Sequence, residues 1–373
     1  MPDRPLAQAL SREPPIITRF VARQLAAARL PLPGGRRTPA WLGPIVVPFA
    51  PVALDLLLRL VDVEYSWRGL AWTASGAILV ATLLLSADWG WPHVKEIAEP
   101  LELMLGTVPG DAAGHSLPAA VLAEHRAYID SVKQRLATRW WQYPLCVITA
   151  LGALVGIWFA SRALPDSTLG PPYYLMLFVL GMLGTDCVMW MIRVPLIIIR
   201  PLTKLTTLRV VMHSPTTTPA IRQMGSVAAM TALRSGIGFF LLGLPLFWTV
   251  VSAKHDGRHA SHVEHLAYAS ILPLAVTAAV VIYVTFVPQF WLSQIVGHQR
   301  NRILDELAKE LPEEGAANLL EDETAKVMTL YDRLAGTTTE TAAARVIARR
   351  MLAVFAVLLP QLFVVIGKLL KLG

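Results

Sequence analysis

Between Leu266 and Val296 the chain runs 31 residues without a charged side chain. As a helix at about 1.5 Å per residue this stretch is roughly 46 Å long, against about 30 Å of bilayer hydrocarbon. It is expected to cross a membrane and to overshoot one face. Pro273 and Pro288 permit kinks, and Phe290 and Trp291 suit the headgroup level where aromatic rings anchor. No helix breaker separates the stretch from the charged segment 297–311, where Val296, Ile303, Leu307 and Leu311 recur at helical spacing. One helix is therefore expected to join a membrane domain to a water-exposed one.

Composition agrees. Mean hydropathy is +0.51, and 16% of residues are charged where soluble proteins average about 25%. Apolar residues come in long blocks rather than stripes. Net charge is +7, but the basic residues sit between the apolar blocks, where membrane orientation explains them and nucleic-acid binding does not.

The fold class expected is all-α and polytopic, with about seven transmembrane helices and a cytoplasmic helical bundle. Residues 1–40 hold seven arginines against Asp3 and Glu13. Ile16, Ile17, Phe20, Val21 and Leu25 there share a helical face opposite Arg19 and Arg23, which suits an amphipathic helix on an anionic inner leaflet. A helix docked on a soluble domain is the competing reading. Residues 41–92 carry a first helix pair, Pro44–Val61 and Leu70–Ser86. Segment 93–140 carries cytoplasmic amphipathic helices, on Val94, Ile97, Leu101 and Met104, then on Val121, His125, Tyr128, Val132 and Leu136. Segment 141–200 carries the second pair, Trp141–Ala160 and Pro172–Ile199. The first of these holds Gly152 and Gly156, a GxxxG spacing that lets helices approach closely. Segment 201–234 is basic and interfacial. Segment 235–296 carries the third pair, Ser235–Ala253 and Leu266–Val296, joined by a histidine-rich outer loop. Segment 297–344 reads as a cytoplasmic helical hairpin turning at Leu311–Gly315, and 345–373 holds the last span, Met351–Gly367.

Charge tests this division. With the N-terminus inside, segments 1–40, 89–142, 193–234 and 297–350 hold 26 of the 33 Lys and Arg. The outer loops and the C-terminal tail hold six, and Arg59 lies within a span. That is the positive-inside asymmetry, and it predicts a cell-membrane protein with a cytoplasmic N-terminus and an extracytoplasmic C-terminus. The Ala, Leu and Arg usage fits a bacterial GC-rich genome.

Two constellations could carry chemistry. Asp55 and Arg59 are four residues apart, and Asp186 and Arg193 are two turns apart, all inside apolar blocks. Each charge costs about 2.5–3.5 kcal/mol at the bilayer centre unless paired or hydrated. They are candidates for a polar transport route or for structural ion pairs. The second constellation is His255, His259, His262 and His265. On one helix the first three would share a face, as ligands for a divalent metal such as zinc. A polar loop is the bland alternative.

Enzyme motifs are lacking: no P-loop, nucleophile elbow or HExxH spacing occurs. Cys146 and Cys187 lie in apolar blocks and suggest no disulfide framework. The expected function is transport, or channel-like conduction, past the four intramembrane charges. The alternative is a membrane-anchored sensor or assembly scaffold whose cytoplasmic helices bind a protein partner or a second copy.

Overall fold

The computed structural model describes residues 6, 7, 10, 17–28, 39–61, 67–106, 118–137, 142–162, 171–211, 214–255, 260–310, 328–332, 334 and 336. Side chains are described for these except 67–69, 71–72, 86–92, 156–162, 239–255, 260–277 and 310. All regular structure among them is helical. In chain order the helices are α1 (Ile17–Ala27), α2 (Leu42–Val46), α3 (Ala50–Val61), α4 (Trp67–Glu96) and α5 (Ala98–Leu105). They continue as α6 (Ala119–Ala137), α7 (Gln142–Arg162), α8 (Pro171–Leu202), α9 (Pro219–His255) and α10 (Ala260–Glu310). A 3₁₀ turn, Val47–Phe49, runs α2 into α3, and another, Pro215–Thr217, precedes α9.

The expected continuity of the organising helix holds: α10 is 51 residues long, passing through Pro273 and Pro288 into the charged segment. Three helical stretches among the described residues are long and apolar enough to cross a membrane: Leu42–Val61, Pro171–Leu202 and Ala278–Lys309. The sequence predicts seven. Thr73–Leu85 and Gln142–Val155 are shorter apolar stretches on α4 and α7. The apolar half of α9 has its side chains outside the described set, and Met351–Gly367 lies wholly outside the described residues.

One boundary drawn on charge is not a break in the chain. Residue 235 is interior to α9, which starts at Pro219, where proline's missing N–H costs a helix nothing. Conversely, the expected helix through Val94–Met104 is two helices. Pro100 has no N–H to offer the Glu96 carbonyl and its ring crowds it, so α4 ends there and the chain turns at Ile97. Gly106 closes α5 at φ 63°, a left-handed geometry that suits glycine.

Helix α8 is the hub, packing against α7, α4, α10, α3, α6 and α1. The α7–α8 approach departs from the GxxxG expectation. A Cβ on Gly152 would meet nothing within 4 Å, whereas one on Gly181 of α8 would stand 2.9 Å from the Ala150 Cα. The packed face of α7 is Cys146 and Ala150, both fully buried. Gly152, two residues past Ala150, points away from it.

One apolar core joins α5, α6, the end of α8, the start of α9 and the middle of α10, with Leu101, Ile129, Leu202, Ile221 and Ile295 at its centre. Burial of each such side chain is worth about 1.5–3 kcal/mol. In the basic segment 201–234, Leu202, Leu205, Leu208, Ile221 and Met224 point into this core, and Ala228 is buried as well. The segment after α8 is clamped by polar contacts. The Arg209 amide donates to the Met104 carbonyl at 2.9 Å. Gln299 of α10 accepts from the Leu208 amide at 3.3 Å and donates to the Thr206 carbonyl at 3.4 Å, as a neighbouring strand would. His125, fully buried on α6, sets Nδ1 2.6 Å from the Leu105 carbonyl oxygen and Nε2 2.8 Å from that of Thr207. Beyond α10, residues 328–332 are helical and Leu334 is buried, while the expected turn at 311–315 lies outside the described residues.

The outer faces are apolar. Leu57 and Leu60 on α3, Ile148 on α7, and Phe286 and Phe290 on α10 are all more than half exposed.

Candidate functional site

The four charged residues inside the apolar helices form two separate clusters. The first is local. On α3, Arg59 Nη2 reaches both carboxylate oxygens of Asp55, at 3.0 and 3.2 Å. Four residues is one helical turn, so the pair forms within its own helix. Thr73 of α4 adds a hydroxyl donor to Asp55 Oδ2 at 3.1 Å. Both charged side chains are essentially sealed, at 1% and 0% exposure.

The second cluster is assembled from four helices. Asp186 sits at the middle of α8 and is fully buried. It does not bond Arg193 directly, although the two share a helix. Instead, Gln142, in the first turn of α7, stands between them. Its Nε2 donates to Asp186 Oδ1 at 2.7 Å, and its Oε1 accepts from Arg193 Nη1 at 3.2 Å. A primary amide can do this because it offers a donor at one end and an acceptor at the other without charge. Arg193 Nη2 donates to the Arg135 carbonyl at 3.0 Å, and its guanidinium lies 5.8 Å from the Trp190 ring centroid. The cation thus gains a hydrogen-bonded and an aromatic partner.

The other oxygen of Asp186 serves α1. Oδ2 accepts from the Thr18 amide at 3.0 Å and from its hydroxyl at 2.9 Å. Helix α1 starts at Ile17, so the Thr18 amide is one of the N-terminal donors that a helix cannot satisfy internally. Asp186 therefore caps α1 from another helix, placing its negative charge at the positive end of the α1 dipole. Cys187, one of two free cysteines, donates to Thr18 Oγ1 at 3.5 Å.

This docking reverses part of the expected α1 pattern. Ile17, Val21 and Leu25 do pack, partly buried, against Ala77, Val80, Leu84 and Met176. Phe20, however, is 61% exposed, while Arg19 is buried with Thr18 and Ala22. Gly43 of α2 lets α1 come this close, since a Cβ there would collide with the Leu25 carbonyl.

Sequence reasoning missed Thr18 and Gln142. Both are neutral polar residues beside helix ends, and their partners lie 168 and 44 residues away. Nothing in the local pattern announces such pairings. Of the candidate metal ligands, His255, His262 and His265 are on helix backbone without described side chains, and His259 lies outside the described residues. Among the described residues no group of three or more His, Cys, Asp or Glu is placed to hold a metal.

The chain matches no family model, no curated protein and no solved structure.

Proposed function

We propose that this chain is a multi-pass membrane scaffold whose cytoplasmic helices hold a protein partner. One observation carries the choice over a transport route: the carboxylates of both clusters, Asp55 and Asp186, are fully buried and committed to neighbouring side chains and backbone. Groups so engaged fasten helices together. Membrane embedding is supported by the exposed apolar faces of α3, α7 and α10, which in a water-soluble monomer would make an unusually large greasy surface. In this reading seven spans cross the cell membrane, with the N-terminus inside and the C-terminus outside. The basic inner segments meet the anionic leaflet. Partner contact is supported by Leu103 on α5 and by Met328 and Leu330, exposed apolar side chains outside the apolar spans.

Two experiments test this. Single cysteines at Thr337 and Ser261 should react with an impermeant thiol reagent from opposite sides of intact cells; equal labelling overturns the topology. Purified protein in liposomes should pass no ions from a broad panel under an imposed potential. A flux abolished by Asp186→Asn would establish transport instead and sink the scaffold assignment.

A further inference from the structure

We infer that His125 is a proton-operated clasp, which holds α6 to α5 and to the run after α8 only while its ring carries hydrogen on both nitrogens. The ring is fully buried, with Nδ1 2.6 Å from the Leu105 carbonyl oxygen and Nε2 2.8 Å from that of Thr207. A carbonyl oxygen only accepts, so each contact needs an N–H from the ring. A neutral imidazole has one N–H and one lone pair, and would set that lone pair against one of the two oxygens. Only the imidazolium donates both ways. Neither contact is longer than the charge-assisted range of about 2.7–2.9 Å. Turning the ring over would bring carbon to both oxygens and take its buried nitrogens away from them.

The surroundings suit a cation. Leu105 is the last residue of α5, so its carbonyl is one that a helix cannot satisfy internally, and it stands at the negative end of the α5 dipole. Thr207 lies in a run held from two other sides. The Thr206 carbonyl accepts from Gln299 and Arg302 of α10, and the Arg209 amide donates to the Met104 carbonyl of α5. The titratable and charged side chains at this joint are Glu102 of α5, Glu124 and Tyr128 of α6, Arg209 in the run, and Arg302 of α10. Glu102 is buried three residues before Leu105, and Glu124 accepts from the Thr206 hydroxyl at 3.1 Å. Tyr128 is turned to the Ile198 carbonyl. Two carboxylates offset two guanidiniums, which leaves the two carbonyls to hold the charge of the ring. Loss of one ring proton turns one contact into a lone pair facing an oxygen in a buried site, and α6 loosens from the run that Gln299 ties to α10. Histidine is the side chain whose charge ordinarily changes near neutral pH, so the clasp works in a range that cells reach. It uses neither a partner protein nor a bilayer, and so stands apart from the scaffold assignment.

The test is equilibrium unfolding of the full-length chain in mixed micelles between about pH 6 and 8, for wild type and His125→Gln. A folded state that holds more protons than the unfolded one loses stability as pH rises. The wild-type ratio of folded to unfolded protein should therefore fall by up to about tenfold per pH unit above about 6.5, with a shallower slope in the variant. The remaining histidines are common to both proteins and cancel in the comparison. Equal slopes, or a wild type that gains on the variant as pH rises, would overturn the clasp. Nitrogen-15 NMR of histidine-labelled wild type decides the matter if the variant does not fold. One ring protonated on both nitrogens at about pH 7.5 and shielded from solvent exchange supports the clasp, and only neutral rings at that pH overturn it.

Discussion

Replacing Arg59 by leucine should cost about 3–5 kcal/mol of stability, because it leaves the Asp55 carboxylate sealed among apolar side chains without its cation. Thr73 remains as a donor, but one neutral hydroxyl does not replace a two-oxygen contact from a guanidinium. Asp55→Leu should cost a similar amount for the opposite reason. The double variant Asp55→Leu plus Arg59→Leu removes both charges and fills the space with apolar volume. A buried pair replaced this way is typically neutral or stabilised by about 1–4 kcal/mol. The double variant should therefore lie within about 1 kcal/mol of wild type or above it. The coupling across the cycle should then exceed about 3 kcal/mol. The assay is equilibrium unfolding of all four proteins in mixed micelles, followed by circular dichroism. Losses that simply add in the double variant, or single variants as stable as wild type, would refute the structural role. The second result would return Asp55 and Arg59 to the candidates for a polar route.

Gly181→Val should destabilise by about 1–3 kcal/mol through overpacking against Ala150, while Gly152→Val should change stability by less than about 0.5 kcal/mol; thermal unfolding in one detergent compares them. His125→Phe removes the polar contact to the carbonyls of Leu105 and Thr207, and a loss of about 1–3 kcal/mol is expected by the same measurement. Burial pushes the Tyr128 phenol well above its ordinary 10.0, and its hydroxyl donates to the Ile198 carbonyl. With the folded value raised, its contribution is fully present below about pH 10 and is lost as pH climbs past it. Tyr128→Phe should therefore flatten the alkaline loss of stability, and an unchanged alkaline slope would refute that origin. Protein dialysed against trace zinc should retain about one ion per chain, lost in His255→Ala plus His259→Ala, if the outer histidines form a metal site.

The helical class and the run of α10 from an uncharged stretch into a charged one were legible in the sequence. Each is a property of composition or period along one segment, and an apolar run or an i, i+4 pair is complete within its own helix. The Asp55–Arg59 pair belongs here, because one turn of α3 suffices to close it. The partners of Asp186 were not legible. Arg193 shares its helix, yet the groups that bond the carboxylate come from α1 and α7, and only the packing of those helices on α8 brings them near. Likewise, GxxxG marks two small residues on α7 but cannot say which face meets a neighbour; the depth of Gly181 decided that. The orientation of α1 turned on the same limit. Apolar periodicity put Phe20 on one face with Ile17, Val21 and Leu25, but with Thr18 turned under α1 to the Asp186 carboxylate Phe20 is left exposed. Local sequence carries local energies, whereas the desolvation of a charge in a packed interior depends on which distant segments surround it.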